Sequence, residues 1–386
     1  MIGTERIRAL SAEVAAHPAP VISLYLDVNP ARPDNARKAY ALRARAAMDR
    51  LGVPKRAGRR LTERLRQDQG IPDARTLVVF AGMDESGFFE SYTLRSELPL
   101  VAAEGGVVAR WGEPYLAPLL LTVQESQRYL VLLLATDRVR LFELYLEEAV
   151  ELDAYVQPLD ASDWRPLREH STGMPGVPAR GGSGKDIFDK RVADWRRRFH
   201  HDVARRIDGV LASLGGDVRL ILMGQPHEIA AFEPHLPPAL QARVVERLAA
   251  TANPAAPASE LEPLLTSAVA RVEAAAGGAL LDRIREQGVW GFGPTLEAVQ
   301  EGRIHVLAVP WRMSARVFRC SESGRVTVTP DAAERLCPGE APREVPLADV
   351  LPDLVSRHAI KLAVMHGDNE TRLTTAFDGL AGLTRW

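Results

Sequence analysis

Cysteine is close to absent. The 386 residues include two, Cys320 and Cys337, and no CxxC pair. Two cysteines without histidine partners cannot build a four-ligand zinc site. They read as two reduced thiols, and no metal centre or cofactor is expected. Aromatic residues are scarce at 6%, whereas hydrophobic residues at 46% and charged residues at 25% are ordinary for a globular protein. Long apolar runs are missing as well. None approaches the roughly 18 residues of a membrane span, the nearest being 129–136, so a membrane is not an expected partner. The opening MIGTERIRALSAEV carries acids and does not form a secretory signal. The expected compartment is the cytoplasm.

Net charge is nearly absent too, at −2, but that value hides a segregation. Residues 32–66 hold 12 Lys/Arg against three acids, and residues 165–206 hold 11 against five. The remainder therefore carries −17. Clustered positive charge on an acidic chain points to contact with phosphate.

Periodicity supplies the elements. Val21–Asp27 (VISLYLD) is apolar and β-prone, closed by Asn29-Pro30. Helices are expected at 35–51 and 61–67, a buried strand at 76–81 and a hairpin over 82–94. Strands at 129–135 and 139–145 pair around Asp137-Arg138. A further buried strand, 218–223, ends in Gly224-Gln225-Pro226. A helix at 238–250 has Pro238 in its first turn. The Pro/Ala-rich 251–259 (TANPAAPAS) reads as a linker. Beyond it the pattern predicts a helix at 260–277, then the segment 280–287, a glycine-rich turn (GVWGFG) at 288–293, and a helix at 294–301. A strand at 304–309 and a late strand around Val364-Met365 complete it. Strands alternating with helices argue for a mostly covered sheet.

The most informative stretch is 179–214. A loop punctuated by Pro175, Pro178, Gly181, Gly182 and Gly184 runs into a long basic helix. Phe188, Val192, Trp195, Phe199, Val203, Ile207, Val210 and Leu214 recur at steps of three and four and form one apolar stripe. Arg196, Arg197, Arg198, Arg205 and Arg206 fall off that stripe. Their bland alternative is pairing of Asp194 with Arg198 and of Asp202 with Arg206, four residues apart.

This loop and helix resemble the middle domain of the archaeal and eukaryotic class-one release factors. There a Gly-Gly-Gln loop precedes a similar helix and enters the ribosomal peptidyl-transferase centre. The likeness extends along the chain. Gly288, Phe292, Gly293, Leu296, Val299, Gly302 and Val306 match the third domain of these factors and of their relative Pelota. Phe377, Gly379, Leu383, Arg385 and Trp386 fit the family's closing element. The chain thus resembles the bacterial archaeo-eukaryotic release-factor-like proteins. The resemblance implies an α/β fold, as three α/β domains in an elongated release-factor-like arrangement. These are 1–127, an N-terminal release-factor-like domain; 128–252, the middle domain with the loop and basic helix; and 253–386, a Pelota/release-factor-like C-terminal domain.

The resemblance also implies a partner, the ribosome, with its RNA and peptidyl-tRNA, and leaves room for a translational GTPase. Gly181, Gly182 and Ser183 are the candidate catalytic loop. The RNA-binding candidates are Arg180, Lys185, Arg196, Arg197, Arg198, Arg205 and Arg206, with Arg37 and Lys38 where the family carries Asn-Ile-Lys-Ser. The chain departs from the family at the third loop position, where Ser183 replaces Gln. Serine can donate a hydrogen bond but cannot span the same distance. Hibernation or rescue by occupancy of the A site is therefore favoured over peptidyl-tRNA hydrolysis. Active peptide release is the first alternative, and a ribosome-independent RNA-binding or nuclease-like protein the second. Ser183 lacks an adjacent base: His170 is at the far end of the loop, and His200 and His201 are well down the helix. GGSGK is not a phosphate loop, because Asp186 follows Lys185 and Ala179 stands where the first glycine belongs. His200-His201 lack the spacing of a metal pair.

Overall fold

The computed structural model describes residue 13 and residues 20–386, apart from 68–73, 83–86, 99–100, 102–104, 113, 117, 120–121, 123–126, 157–183, 216 and 250–252. Side chains at 184–189, 191 and 356 are also outside the description. The fold mixes helices with several sheets. It divides into two compact units, Met1–Ser126 with Glu273–Trp386, and Gln127–Val272.

In the first unit β1 (Val21–Asp27), β2 (Thr76–Gly82), β3 (Phe89–Leu94) and β4 (Val107–Gly112) form an antiparallel sheet in the order β3-β2-β1-β4. β1 and β2 are buried along their whole length, because both faces of the sheet are covered. Ile22, Leu24, Leu77 and Val79 pack on Ala44, Met48, Leu61 and Leu65 of the helices Tyr40–Arg50 and Lys55–Gln67. Val21, Tyr25, Val78 and Phe80 point the other way, into a core shared with Leu296, Leu307 and Leu351. Each such side chain contributes roughly 1.5–3 kcal/mol on burial. The helix expected from residue 35 starts later, at Tyr40. Pro33–Lys38 is a short 3-10 turn that breaks at Arg37, φ 53°. The Asn35 side chain is spent on Asp27 and on the Asn29 carbonyl, the local competition that keeps Asn out of helices.

The second unit is one five-stranded sheet. It runs β7-β6-β5-β8-β9, from β5 (Arg128–Leu134), β6 (Arg138–Tyr145), β7 (Glu148–Val156), β8 (Val218–Gly224) and β9 (Val244–Ala249). β5, β8 and β9 are parallel; β6 and β7 are antiparallel additions. The helix Gly184–Leu214 covers one face through Phe199, Val203, Ile207 and Leu211. The helix Ala258–Gln287 covers the other through Leu261 and Leu265. Gly224 sits at φ 153° where a Cβ would come within 2.5 Å of the Leu134 carbonyl oxygen, so glycine lets β8 close on β5.

Several expectations are corrected here. Helix after Pro238 lasts only to Gln241, and Val244–Ala249 is β9 instead. Its paired valines suit a sheet edge, and the ladder to β8 outweighs a weak helical pattern. The Pro/Ala-rich segment is anchored rather than a free spacer: Arg140 donates to the carbonyls of Pro254 and Ala256, and Ala256 is buried. The helix expected to end at Gly277 runs on as one helix, Ala258–Gln287. The glycines there make room, since a Cβ on Gly277 would lie 2.8 Å from the Asn369 amide, which donates to the Ala274 carbonyl. This helix is also long and apolar enough, by length and composition, to cross a membrane, with mean hydropathy 1.3 over its best window. Counting unbroken apolar runs does not register it, because scattered polar residues interrupt an alanine-rich stretch. Its Leu261, Leu265, Leu281 and Ile284 are core residues.

The rest of the first unit holds β10 (Gly288–Trp290), β11 (Ile304–Pro310), β12 (Arg316–Arg319), β13 (Val326–Thr327), β14 (Arg343–Pro346), β15 (Lys361–Met365) and β16 (Ala381–Thr384). They make two sheets, β10-β16-β11-β15 and β13-β12-β14. Cys320 and Cys337 are not reduced thiols but a disulfide, with Cα atoms 5.5 Å apart. β12 and the helix Pro330–Leu336 bring the two buried cysteines together across 17 residues, which composition could not foresee.

Candidate nucleic-acid interface

The candidate loop, Arg180, Gly181, Gly182 and Ser183, lies outside the described residues, as does the side chain of Lys185. The helix behind the loop can be followed from Gly184 to Leu214. Its stripe is real but shorter than the sequence pattern. Phe199, Val203, Ile207 and Leu211 are buried, whereas Val192 is 38% exposed.

The five arginines divide. Arg196 turns inward and meets Glu228 at 3.3 Å. Glu228 is 3% exposed and also accepts from Thr136 at 2.7 Å and faces His227 Nε2 at 3.1 Å. Its second oxygen has no hydrogen-bond partner among the described residues. Arg206 stands over the Tyr155 ring of β7 at 5.1 Å. Arg197 pairs with Asp194, and Arg205 with Asp202, each three residues apart. The expected four-residue pairs are not formed: Arg198 donates instead to the Asp194 backbone carbonyl at 3.4 Å. Exposed pairs of this kind are worth about 0–1 kcal/mol and yield readily to another anion. Of the five, Arg197, Arg198 and Arg205 are thus the outward cations not stacked on another side chain, and Arg206 is exposed too but lies over Tyr155.

His200 is buried against Phe232 and His235, at ring separations of 5.3 and 5.4 Å. Desolvation, then the neighbouring His235, lowers its pKa to about 4. It is neutral near pH 7, a core histidine. Desolvation also lowers His235, with His201 and Arg197 acting in the same direction. His201 is exposed.

In the other unit, Arg37 and Lys38 occupy the left-handed region consecutively, at φ 53° and 59°. Such strain costs on the order of 1 kcal/mol per residue and persists only where surroundings impose it. The surroundings are polar. Asn35 donates to Asp27 and to the Asn29 carbonyl, both at 2.9 Å, and Arg43 bonds the Asp34 carbonyl at 2.8 Å and the Asp27 carbonyl at 2.9 Å. Arg32 bridges Asp27 and Glu97. Lys38 Nζ reaches the Arg66 carbonyl at 2.7 Å. Among the described residues there is no group of His, Cys, Asp and Glu able to hold a metal ion. Sequence reasoning missed Thr136 and Glu228, because nothing local marks an acid that meets an arginine 32 residues earlier.

The family model of bacterial archaeo-eukaryotic release factor family 10 matches residues 114–282. The match contains the whole basic helix. Over these residues the chain is similar to that family. No curated protein sequence matches it. Among solved structures, the archaeal translation termination factor aRF1 shows 15% identity, covering 100% of this chain and 99% of that one, at TM-score 0.25. Archaeoglobus fulgidus Pelota shows 14% identity over 80% of this chain and 79% of its own, at TM-score 0.32. S. cerevisiae Dom34, a translation termination-like factor, shows 10% identity over 80% of each chain, at TM-score 0.40.

Proposed function

We propose that this release-factor-like chain is a cytoplasmic, ribosome-binding translation factor. It occupies the A site and acts in hibernation or rescue rather than in peptide release. One observation carries the reading: the outward cations of Gly184–Leu214 fall inside the family-matched residues 114–282. Arg197, Arg198 and Arg205 contact ribosomal RNA phosphate, and Arg180 and Lys185 extend that contact toward the loop. Arg37 and Lys38 serve the same purpose in the other unit. Peptidyl-tRNA is a neighbour of the loop, and a translational GTPase is a compatible partner. Ser183 lacks the reach of the glutamine that the family places there. Oxyanion contact through the backbone amides of Gly181 and Gly182 would survive that change, but the positioning of water would not.

The test is co-sedimentation with ribosomes at moderate salt. Wild type should pellet with a steep salt dependence. The variant Arg197→Glu/Arg198→Glu/Arg205→Glu should remain folded and stay in the supernatant. Arg196 is kept, because a glutamate there would face the buried Glu228 and test the fold instead. Undiminished pelleting of the folded variant overturns the reading. On purified stalled ribosomes the wild type should leave peptidyl-tRNA uncut; rapid release would establish the hydrolase alternative.

A further inference from the structure

Among the described residues, the helix Lys55–Gln67 carries a dense run of exposed positive charge beside the 3-10 turn. The helix carries seven cations' worth of sequence if Lys38 is counted with Lys55, Arg56, Arg59, Arg60, Arg64 and Arg66, against the single acid Glu63. Its apolar side is fully used: Ala57, Leu61 and Leu65 are buried on the sheet. All six cations of the helix are exposed. Among the described residues no acid pairs with Lys55, Arg56, Arg59, Arg64 or Arg66. Two contacts hold the surface in shape. Arg64 lies 3.5 Å over the Phe89 ring, and Lys38 ties the strained turn to the last turn of the helix through the Arg66 carbonyl.

We infer that this ridge is a second RNA-contacting surface, one that tracks the phosphate backbone of a structured duplex without reading its sequence. From residue 55 to residue 66 the helix rises about 16 Å. A nucleic-acid strand in a duplex presents a phosphate about every 3.4 Å of axis, so roughly five phosphates face the ridge. A membrane surface is the wrong partner. An interfacial helix needs an apolar face to insert, and here that face is buried in the sheet. An acidic protein is also disfavoured, because among the described residues of the helix the exposed side chains include no apolar or aromatic anchor, Phe89 of β3 being roofed by Arg64. The inference deepens the proposed ribosome binding, but its test uses no ribosome.

The full chain is titrated by fluorescence anisotropy into a labelled RNA duplex of about 20 base pairs, from 50 to 200 mM salt, that is, about the range in which phosphate contacts are resolved. The variant is Lys55→Gln/Arg56→Gln/Arg59→Gln. A control removes equal charge elsewhere: Arg271→Gln/Arg283→Gln/Arg316→Gln. The salt slope of the ridge variant should be shallower by about 2–3, at about 0.9 per lost contact, and its low-salt affinity at least about tenfold weaker. The control should keep the wild-type slope. Restoring charge as Lys55/Arg56→Lys/Arg59→Lys should restore it. Equal slopes for the folded ridge variant and wild type overturn the inference. So does a ridge-dependent preference for anionic phosphatidylserine vesicles over RNA. Loss of ribosome pelleting in the Arg197/Arg198/Arg205 variant with the ridge slope intact would separate the two surfaces.

Discussion

The two basic helices deploy their positive charge in different ways. Gly184–Leu214 commits part of its charge to the fold, with Arg196 against the buried Glu228, while the exposed Arg206 stacks over Tyr155. Lys55–Gln67 stacks Arg64 on Phe89 of β3 but leaves Lys55, Arg56, Arg59 and Arg66 exposed, with no acid pairing them among the described residues. A local excess of arginine therefore does not measure a binding surface. What matters is which arginines already have a carboxylate, and that is settled by partners distant in sequence. Both helices nonetheless share one construction: an apolar stripe in a core and charge elsewhere.

The shared part breaks most visibly. Ile207 is 0% exposed and Leu65 1% exposed, in the cores beneath the two helices. Ile207→Ala and Leu65→Ala should each cost about 3–4 kcal/mol, the range for a large side chain truncated in a packed core. Urea denaturation followed by circular dichroism measures both. A cost below about 1 kcal/mol for either would mean that its stripe is not what anchors that helix.

The next effect separates the helices. Arg196→Ala removes the cation nearest a carboxylate that is 3% exposed, leaving Thr136 and His227 as its partners. The expected loss is about 2–3 kcal/mol, below the full cost of orphaning a buried charge because those two remain. Arg59→Ala, on the ridge, should change stability by less than about 0.5 kcal/mol. Equal losses for the two would erase the distinction.

A pH effect comes third and belongs to the middle unit. The folded His200 titrates at about 4 against an ordinary 6.5. Between those values the unfolded chain binds the proton and the folded one does not, so stability rises with pH. The contribution is complete above about pH 6.5 and is lost as pH falls toward 4, on the order of 3 kcal/mol in total. His200→Phe, which keeps a ring against Phe232, should flatten the curve in that window. Denaturation midpoints from pH 4 to 7.5 give the comparison; a curve unchanged by the substitution would assign the slope to other groups.

How far the sequence reaches depends on the kind of interaction. β1, β2, β5 and β8 were legible because a short β-branched run covered on both faces has few other places to go. The stripe Phe199-Val203-Ile207 was legible for the same reason, in helical period. β9 was not, since VVERLA supports either element and its neighbour β8 decides. Gly277-Gly278 reads as a stop until Asn369 is seen to occupy the space. The Cys320–Cys337 bond and the Arg196–Glu228 pair depend on the finished fold, and no local signal announces either. In the candidate interface, the residue types were visible from sequence, but which arginines face outward was not.

The smallest expected effect on stability is the most informative about function. Arg198 has a single weak backbone contact, and Arg56 has no acid partner among the described residues. Arg198→Gln and Arg56→Gln should each shift the denaturation midpoint by no more than an exposed substitution does, under about 0.5 kcal/mol. Their binding effects should differ in kind. Arg198 lies within the family-matched residues and Arg56 does not. Arg198→Gln should therefore weaken ribosome pelleting while leaving most of the affinity for a free RNA duplex. Arg56→Gln should lower the duplex salt slope by about 0.9, the value of one phosphate contact. Running both variants through both assays, at matched ionic strength, gives four numbers. If each substitution lowers both readouts equally, the two helices form one undifferentiated electrostatic surface, and the division between a ribosome-directed helix and a general RNA ridge fails.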